Sequence, residues 1–167
     1  MIILYIEEIC INMIFVILGT HELEFKRLLQ YLEDMDIKEE VIIQSGNTNF
    51  TSNKYKVIPF LDQNDFNKYI KESTLVITHG GVGSILTALR HKKKVITMPR
   101  LSKYNEHNDD HQLEICNKLS KEGYTMNCTD YDSLKEFIEN YNKIELRPYI
   151  FDNSRLINFL TETIDNI

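Results

Sequence analysis

Short unbroken apolar runs alternate along this chain with segments whose apolar residues recur at helical spacing. Residues 14–18, Ile-Phe-Val-Ile-Leu, form one such run, as expected of a strand covered on both faces. Phe25, Leu28, Leu29 and Leu32 follow at i, i+3, i+4 and i+7, which predicts an amphipathic helix with one buried stripe. Further strands are predicted over residues 41–43, 55–60, 75–78, 95–98 and 124–127. The segments between them carry helical patterns. One helix is expected over 64–72 and another along the stripe Val82, Ile85, Leu86, Leu89. A third spans 111–121 and is closed by Gly123, and a fourth, capped by Asp132 or Ser133, carries Leu134, Phe137, Ile138 and Tyr141. A last helix is expected over 154–164, and residues 100–110 read as a long polar loop. Alternation at this spacing predicts an α/β fold: a Rossmann-like parallel sheet with helices on both faces and right-handed crossovers.

The 167 residues suffice for one core and are too few for two. Glu7, Glu8 and Asn12 interrupt the apolar start of the chain, whereas a membrane span needs ~20 consecutive apolar residues. No basic segment or small-residue cleavage site marks a secretory signal. A fresh strand-like run opens at Met13, so residues 1–12 read as an extension, with Met13 as the natural start and 13–167 as a single domain. Cys10, Cys116 and Cys128 show no CxxC spacing, which points to free thiols in a reducing compartment. A net charge of -6 argues against a nucleic-acid surface, which needs clustered Lys and Arg. The one basic cluster runs over residues 90–94. It reads as a solvated helix end favoured by the macrodipole or as a contact for anionic headgroups.

The candidate chemistry lies in Thr78-His79-Gly80-Gly81-Val82-Gly83-Ser84, between the fourth predicted strand and its helix. In an open parallel sheet, ligands bind beyond the carboxyl ends of the strands. Glycines there remove the Cβ atoms that keep a ligand from the backbone, and the free N–H groups of the first helical turn carry about half a positive charge. Such a loop suits a diphosphate without a metal, and Ser84 adds a hydroxyl. A ligand-free tight turn is the alternative. A Walker loop is absent, and the dinucleotide fingerprint lacks its third glycine, since Leu86 stands there.

With these residues in view, the chain resembles the C-terminal, donor-binding domain of the family 28 glycosyltransferases. The likeness extends to catalytic subunits of bacterial capsular and exopolysaccharide two-component transferases, and to the cytosolic subunit of the eukaryotic dolichol-linked N-acetylglucosaminyltransferase. Three patches carry it: Val16-Ile17-Leu18-Gly19-Thr20-His21-Glu22; Ile77-Thr78-His79-Gly80-Gly81-Val82-Gly83-Ser84; and Pro99-Arg100 through Glu106-His107-Asn108-Asp109-Asp110-His111-Gln112. The resemblance implies a fold equivalent to the C-terminal half of a GT-B glycosyltransferase and an inverting transfer from a UDP-sugar to a polyprenyl-diphosphate-linked acceptor. It implies that His79, Gly80, Gly81, Gly83 and Ser84 hold the diphosphate, and that Asp110, His111 and Gln112 meet the donor sugar. Gln44, Gly46 and Thr87 would border the nucleoside, and Gly19, Thr20, Glu106 and His107 would lie near the reacting centre. Family members commonly carry Glu or Asp for the ribose eight positions after the motif's His, where Thr87 stands here. Thr87 binds through one hydroxyl, or Glu22 or Glu114 substitutes, or donor affinity is weak.

An inverting transfer needs a base for the acceptor hydroxyl and donors for the departing diphosphate. His21 is the candidate base, oriented by Glu22; the alternative is that it only hydrogen-bonds its own loop or the sugar. His107 and His111 stand four apart, a spacing also open to a metal, but the resemblance makes them sugar contacts. No Asp-x-Asp-like pair stands at a strand end, so neither a metal nor another cofactor is expected, the UDP-sugar being a substrate. One domain offers no acceptor site, so a membrane-anchored acceptor-binding subunit is the expected partner, holding the chain at the cytoplasmic face of the cell membrane. A non-catalytic partner of a true transferase is the competing class, and an NAD-dependent enzyme lacks its ribose acid.

Overall fold

A computed structural model of the chain describes residues 12–151. The expected helix at 154–164 and all but Asn12 of the proposed extension lie outside the described residues. Six parallel strands form one sheet in the order β3-β2-β1-β4-β5-β6. They are β1 (Met13–Ile17), β2 (Glu40–Gln44), β3 (Lys56–Ile58), β4 (Leu75–Thr78), β5 (Lys94–Thr97) and β6 (Met126–Asn127). The helices are α1 (Lys26–Asp34), α2 (Gln63–Glu72), α3 (Val82–Arg90), α4 (His111–Lys121) and α5 (Tyr131–Asn140). The strands predicted over 55–60 and 124–127 are both shorter than their apolar runs, while α4 has the predicted bounds.

Every residue of β1 is buried because both faces of the sheet are covered. Alternation along the strand divides its side chains between two cores. Ile14, Val16 and Leu18 join the α1 stripe of Leu28, Leu29 and Leu32, with Leu134 and Ile138 of α5. Phe15 and Ile17 face the other way, onto Ile70 of α2 and Ile85, Ala88 and Leu89 of α3. The strand order reverses at the β1–β4 pair. The loops leaving these two strands therefore separate above the sheet and leave a crevice between them.

Two expectations about helix ends need correction. α5 is capped by Asp130, whose carboxylate accepts the Ser133 N–H at 2.9 Å, and not by Asp132 or Ser133. The basic cluster at 90–94 is also not simply solvated. Lys93 donates to the carbonyls of Lys71 and Ser73, at 2.6 and 2.8 Å, and burial lowers its pKa. Lys94 donates to those of Tyr141, Asn142 and Ile144, at 2.7, 3.2 and 2.9 Å. These ammonium groups satisfy carbonyls that have no helical partner. Gly123 does end α4, with φ at +81°. Its N–H bonds Ser120 and that of Tyr124 bonds Leu119, a Schellman turn. Cys116 and Cys128 are free and buried, and burial pushes their thiols up to about 11 and about 12. Among the described residues no helix is long and apolar enough to cross a membrane.

Lys94 gives the carbonyls of Tyr141, Asn142 and Ile144 charge-assisted hydrogen bonds, each worth ~1.5–3 kcal/mol. Lys94→Met keeps the stem and removes the donors. It is expected to lower the unfolding free energy by about 2 kcal/mol, measured by urea denaturation, with the slope unchanged.

Candidate functional site

The crevice at the β1–β4 switch point holds a cleft of about 280 Å³. Its polar side is made by Gly19 and Thr20 after β1, Gln44 at the end of β2, and His79, Gly81, Gly83 and Ser84 after β4. Its other wall is Phe60, Leu61 and Phe66, which the sequence reading did not single out. Phe60 is 56% exposed, a large aromatic face left open beside polar backbone. The signal for it was the continuation of the apolar run through Phe60 and Leu61, beyond the end of β3.

The glycines of the site have different causes. His79 is 8% exposed, and its ring fills the space between the two loops. A Cβ on Gly19, where φ is +74°, would meet the ring at 2.5 Å, and one on Gly81 would strike its Nε2. Gly80 is required by α4: a Cβ there would lie 2.5 Å from Cβ of Gln112 and 3.0 Å from Sγ of Cys116. A Cβ on Gly46, at φ +59°, would overlap the carbonyl oxygen of Gly19. The fold thus demands Gly19, Gly46, Gly80 and Gly81 for its own packing, a cause at Gly80 and Gly81 separate from the ligand access expected from the sequence. Gly83 differs. A Cβ there would meet nothing within 4 Å. A glycine in the first turn of a helix costs roughly 0.5–1 kcal/mol against alanine, and neither packing nor backbone angle asks for it.

His79 Nδ1 lies 3.2 Å from the Ile17 carbonyl, to which it donates as Nδ1–H. Burial pushes its pKa down to about 4, against the Ile17 hydrogen bond, with the nearby positive charge of Arg100 acting in the same direction as burial. The ring is therefore neutral near pH 7 and brings no charge to a diphosphate. Gln112 is a joint: its Oε1 accepts the N–H of Gly80 at 3.2 Å and that of Arg100 at 3.1 Å. Gln44 is another, donating to the carbonyls of Gly19 at 3.3 Å and Pro59 at 3.0 Å, while the Gly46 N–H bonds Pro59 at 2.8 Å.

The predicted polar loop over 100–110 is anchored by a buried charge. Arg100 is 1% exposed, a charged side chain fully enclosed by the fold. Its Nη1 donates to the carbonyls of Leu23 at 2.6 Å and Glu106 at 3.1 Å, and its Nη2 to that of Leu18 at 3.0 Å. The Glu106 carboxylate accepts Arg27 Nε–H at 2.9 Å and Nη2–H at 2.7 Å, and the Leu101 N–H at 3.0 Å. Glu106 is thus part of the scaffold, 3% exposed, and not a free group at the reacting centre. Sequence marks Arg100 only as part of the third patch and Arg27 not at all, because Leu18 and Leu23, which bond Arg100, and Glu106, which pairs with Arg27, lie 77 to 82 positions away.

His21 also differs from expectation in its partner. Its Nδ1 accepts the Leu23 N–H at 3.1 Å, so backbone, not Glu22, orients the ring. Desolvation and the neighbouring His107 and Arg100 lower its pKa, and Glu22 opposes them. Its ring lies 4.7 Å from that of His107. None of the three expected sugar contacts, Asp110, His111 and Gln112, lines the cleft. Asp110 accepts the Ser102 N–H at 2.8 Å, which holds its carboxyl below the usual range, and the His111 side chain is 75% exposed beside Glu114. Thr87 donates its hydroxyl to the Gly83 carbonyl at 2.7 Å, and neither Glu22 nor Glu114 lines the cleft.

The depressed pKa of His79 sets a sign for the pH dependence of stability. Its folded pKa of about 4 lies below the unfolded value of 6.5, so between them only the unfolded chain takes the proton. Stability is fully present above pH 6.5 and falls as pH drops toward 4. The loss attributable to His79 from pH 7 to pH 4.5 is about 2 kcal/mol. Urea titrations across that window should show the loss, and His79→Phe should flatten it.

The fold recurs in known proteins. The family described as glycosyltransferase family 28 C-terminal domain matches residues 13–166. The UDP-N-acetylglucosamine transferase subunit ALG13 of Debaryomyces hansenii is 33% identical over 145 residues, 72% of this chain and 65% of that relative. The chain thus spans slightly less than two thirds of that relative's length. A solution structure of ALG13 superposes with a TM-score of 0.59 at 25% identity, covering 92% of this chain and 96% of the other. The Acinetobacter baumannii MurG crystal structure shares the fold, with a TM-score of 0.53 at 17% identity over 79% of this chain and 41% of that one. The match across nearly the whole sequence and the shared fold lead to one statement: this chain belongs to the family of glycosyltransferase family 28 C-terminal domains.

Proposed function

We propose that this chain is the donor-binding subunit of a two-component inverting glycosyltransferase that uses a UDP-sugar. The observation that carries the reading is Gly83, which lines the cleft in the first turn of α3 and where a Cβ would meet nothing within 4 Å. There a diphosphate meets backbone N–H groups and the positive end of the helix dipole, with Ser84 as a further donor. The Phe60 and Leu61 wall gives the uracil an apolar face. The Gln112 carboxamide keeps its nitrogen for a sugar hydroxyl while its oxygen holds the scaffold. The departing diphosphate is stabilised by these fixed dipoles without a metal. Because relatives bear the name UDP-N-acetylglucosamine transferase subunit, UDP-N-acetylglucosamine is the first donor to test.

The acceptor in this reading is a polyprenyl-diphosphate-linked saccharide presented by a membrane-anchored partner at the cytoplasmic face. Capsular or exopolysaccharide assembly is the setting the sequence resemblance favours. One observation supports a second reading, a non-catalytic nucleotide-sugar-binding partner: the Thr87 hydroxyl is already committed to the Gly83 carbonyl. A ribose would then lack the charge-assisted pair, each bond worth ~1.5–3 kcal/mol.

Gly83→Val should weaken UDP binding by at least about tenfold in calorimetry with the melting temperature nearly unchanged, since its Cβ fills ligand space and not protein space. Normal affinity would remove the cradle from the helix terminus. Gly81 cannot serve this test, because its Cβ strikes the His79 ring.

Activity should also need a second chain. Positioning of the acceptor is worth up to ~7–11 kcal/mol of barrier, and the donor domain does not supply it. Transfer from UDP-N-acetylglucosamine to a synthetic polyprenyl-diphosphate monosaccharide is expected near background for the chain alone and restored by its co-purified membrane partner. Full turnover by the single chain would reject the two-subunit reading.

A further inference from the structure

The amino edge of the sheet, opposite the cleft, carries a surface of a different kind. Where α3 ends and β5 begins, Arg90, Lys92, Lys93 and Lys94 come together with Arg147, which arrives from beyond α5. A groove of about 360 Å³ lies among them, lined also by Leu89, Tyr124 and Tyr149. Lys93 and Lys94 are held by backbone carbonyls, so their charges are fixed at its wall. Arg90, Lys92 and Arg147 are exposed. Glu122 lies 3.9 Å from Arg147, and the exposed Glu145 stands two residues before it. Cations are thus gathered on a chain whose formal net charge is -6.

Two features set this patch apart from a solvated helix end. The first is Lys92, in the turn that leaves α3, with φ at +55°. A turn of that hand after a helix favours glycine, and a side chain there is strained, yet the position carries a lysine. The second is the segment from Arg147 to Phe151. Pro148 stiffens it. Tyr149 packs edge-on against Tyr124 at 4.9 Å and against Phe151 at 4.7 Å, and Arg90 lies 4.8 Å over the Phe151 ring. Between the two rings Ile150 is 78% exposed, more than any other large hydrophobic side chain among the described residues.

We propose that this patch docks the chain on an anionic lipid surface, a contact of its own beside that of the partner. The chemistry is layered as a bilayer surface is. Cations meet the headgroups, Ile150 reaches the acyl boundary, and the aromatic rings sit between. The charge of -6 repels such a surface at long range. Screening confines that repulsion to about 8 Å at physiological ionic strength, so the groups in contact decide the outcome. The patch and the cleft lie at opposite ends of α3, whose nine residues rise ~14 Å. A docked chain therefore carries its cleft about one helix length above the lipid. This contact is independent of what the cleft binds.

The test sediments the full chain with vesicles of phosphatidylcholine, alone or with about 30% phosphatidylserine. The wild-type chain should sediment with the anionic vesicles and not the neutral ones, and ~0.5 M NaCl should release it. Each cation at such a surface contributes about fivefold. Arg90→Gln, Lys92→Gln and Arg147→Gln together should therefore weaken binding by about 100-fold, and Ile150→Asn alone by about tenfold. The melting temperature and the calorimetric Kd for UDP should stay unchanged in both variants, because none of these residues lines the cleft. Sedimentation no greater with anionic than with neutral vesicles overturns the assignment, as does undiminished binding by the triple variant. If that variant instead loses its co-purified partner, the patch is a protein interface. Release of the bound chain by ~10 mM inorganic phosphate at constant ionic strength also overturns it, making the patch a site for free anions. Should the wild-type chain bind anionic vesicles but no UDP, only the donor reading falls.

Discussion

The guanidinium of Arg100 is the charge on which the upper edge of the molecule depends. Taking such an ion out of water costs several kcal/mol even after relaxation, unless its donors are matched. Here the carbonyls of Leu18, Leu23 and Glu106 match the Nη donors, with the ring of Phe25 5.0 Å away, while the buried Nε–H finds no partner. The Glu106 carboxylate supplies the nearby negative charge, yet it is bonded to Arg27 and not to Arg100. The loops after β1 and β5 are therefore joined through backbone groups, and they cannot separate without stranding a buried charge. Burial pushes the Arg100 pKa down to about 10, so the clamp stays charged at neutral pH.

Around that clamp the site is assembled by close approach of backbone. His79 sits between Gly19 and Gly81, Gln112 between Gly80 and Arg100, and Gln44 between Gly19 and Pro59. Each side chain spends part of its polar capacity on the protein before any ligand arrives. That is how a cleft made of loops gains the rigidity of a scaffold. It also separates two uses of glycine. Gly19, Gly46, Gly80 and Gly81 make room for protein atoms, whereas a Cβ on Gly83 would meet none within 4 Å. In the proposed reading that space belongs to a ligand approaching the α3 N-terminus.

Membership in the family fits this economy of parts. The domain has a complete core on both faces of its sheet and a cleft at the carboxyl edge. The chemistry proposed for it divides accordingly. Donor binding and leaving-group stabilisation use backbone dipoles of this chain, while positioning of the acceptor is assigned to a second one.

The sequence by itself determined the secondary elements, the parallel sheet and the loop that meets the cleft. Those features follow from local periodicity: the unbroken run from Ile14 to Leu18 and the stripe through Phe25 and Leu32 admit few other arrangements. It also marked the three patches that converge, at Gly19, His79 and Gln112, because glycine and polar clusters punctuate strand ends. Only the tertiary structure decided which side chains are free to act. Arg100 in a polar loop is buried, Glu106 is its scaffold, and Phe60 past a strand end is a cleft wall. The Leu23 N–H, and not Glu22, orients His21. The physical reason is that burial, tautomer and hydrogen-bond commitment depend on partners up to 82 positions away, as Leu18 is from Arg100. No local pattern in the chain encodes such a partner.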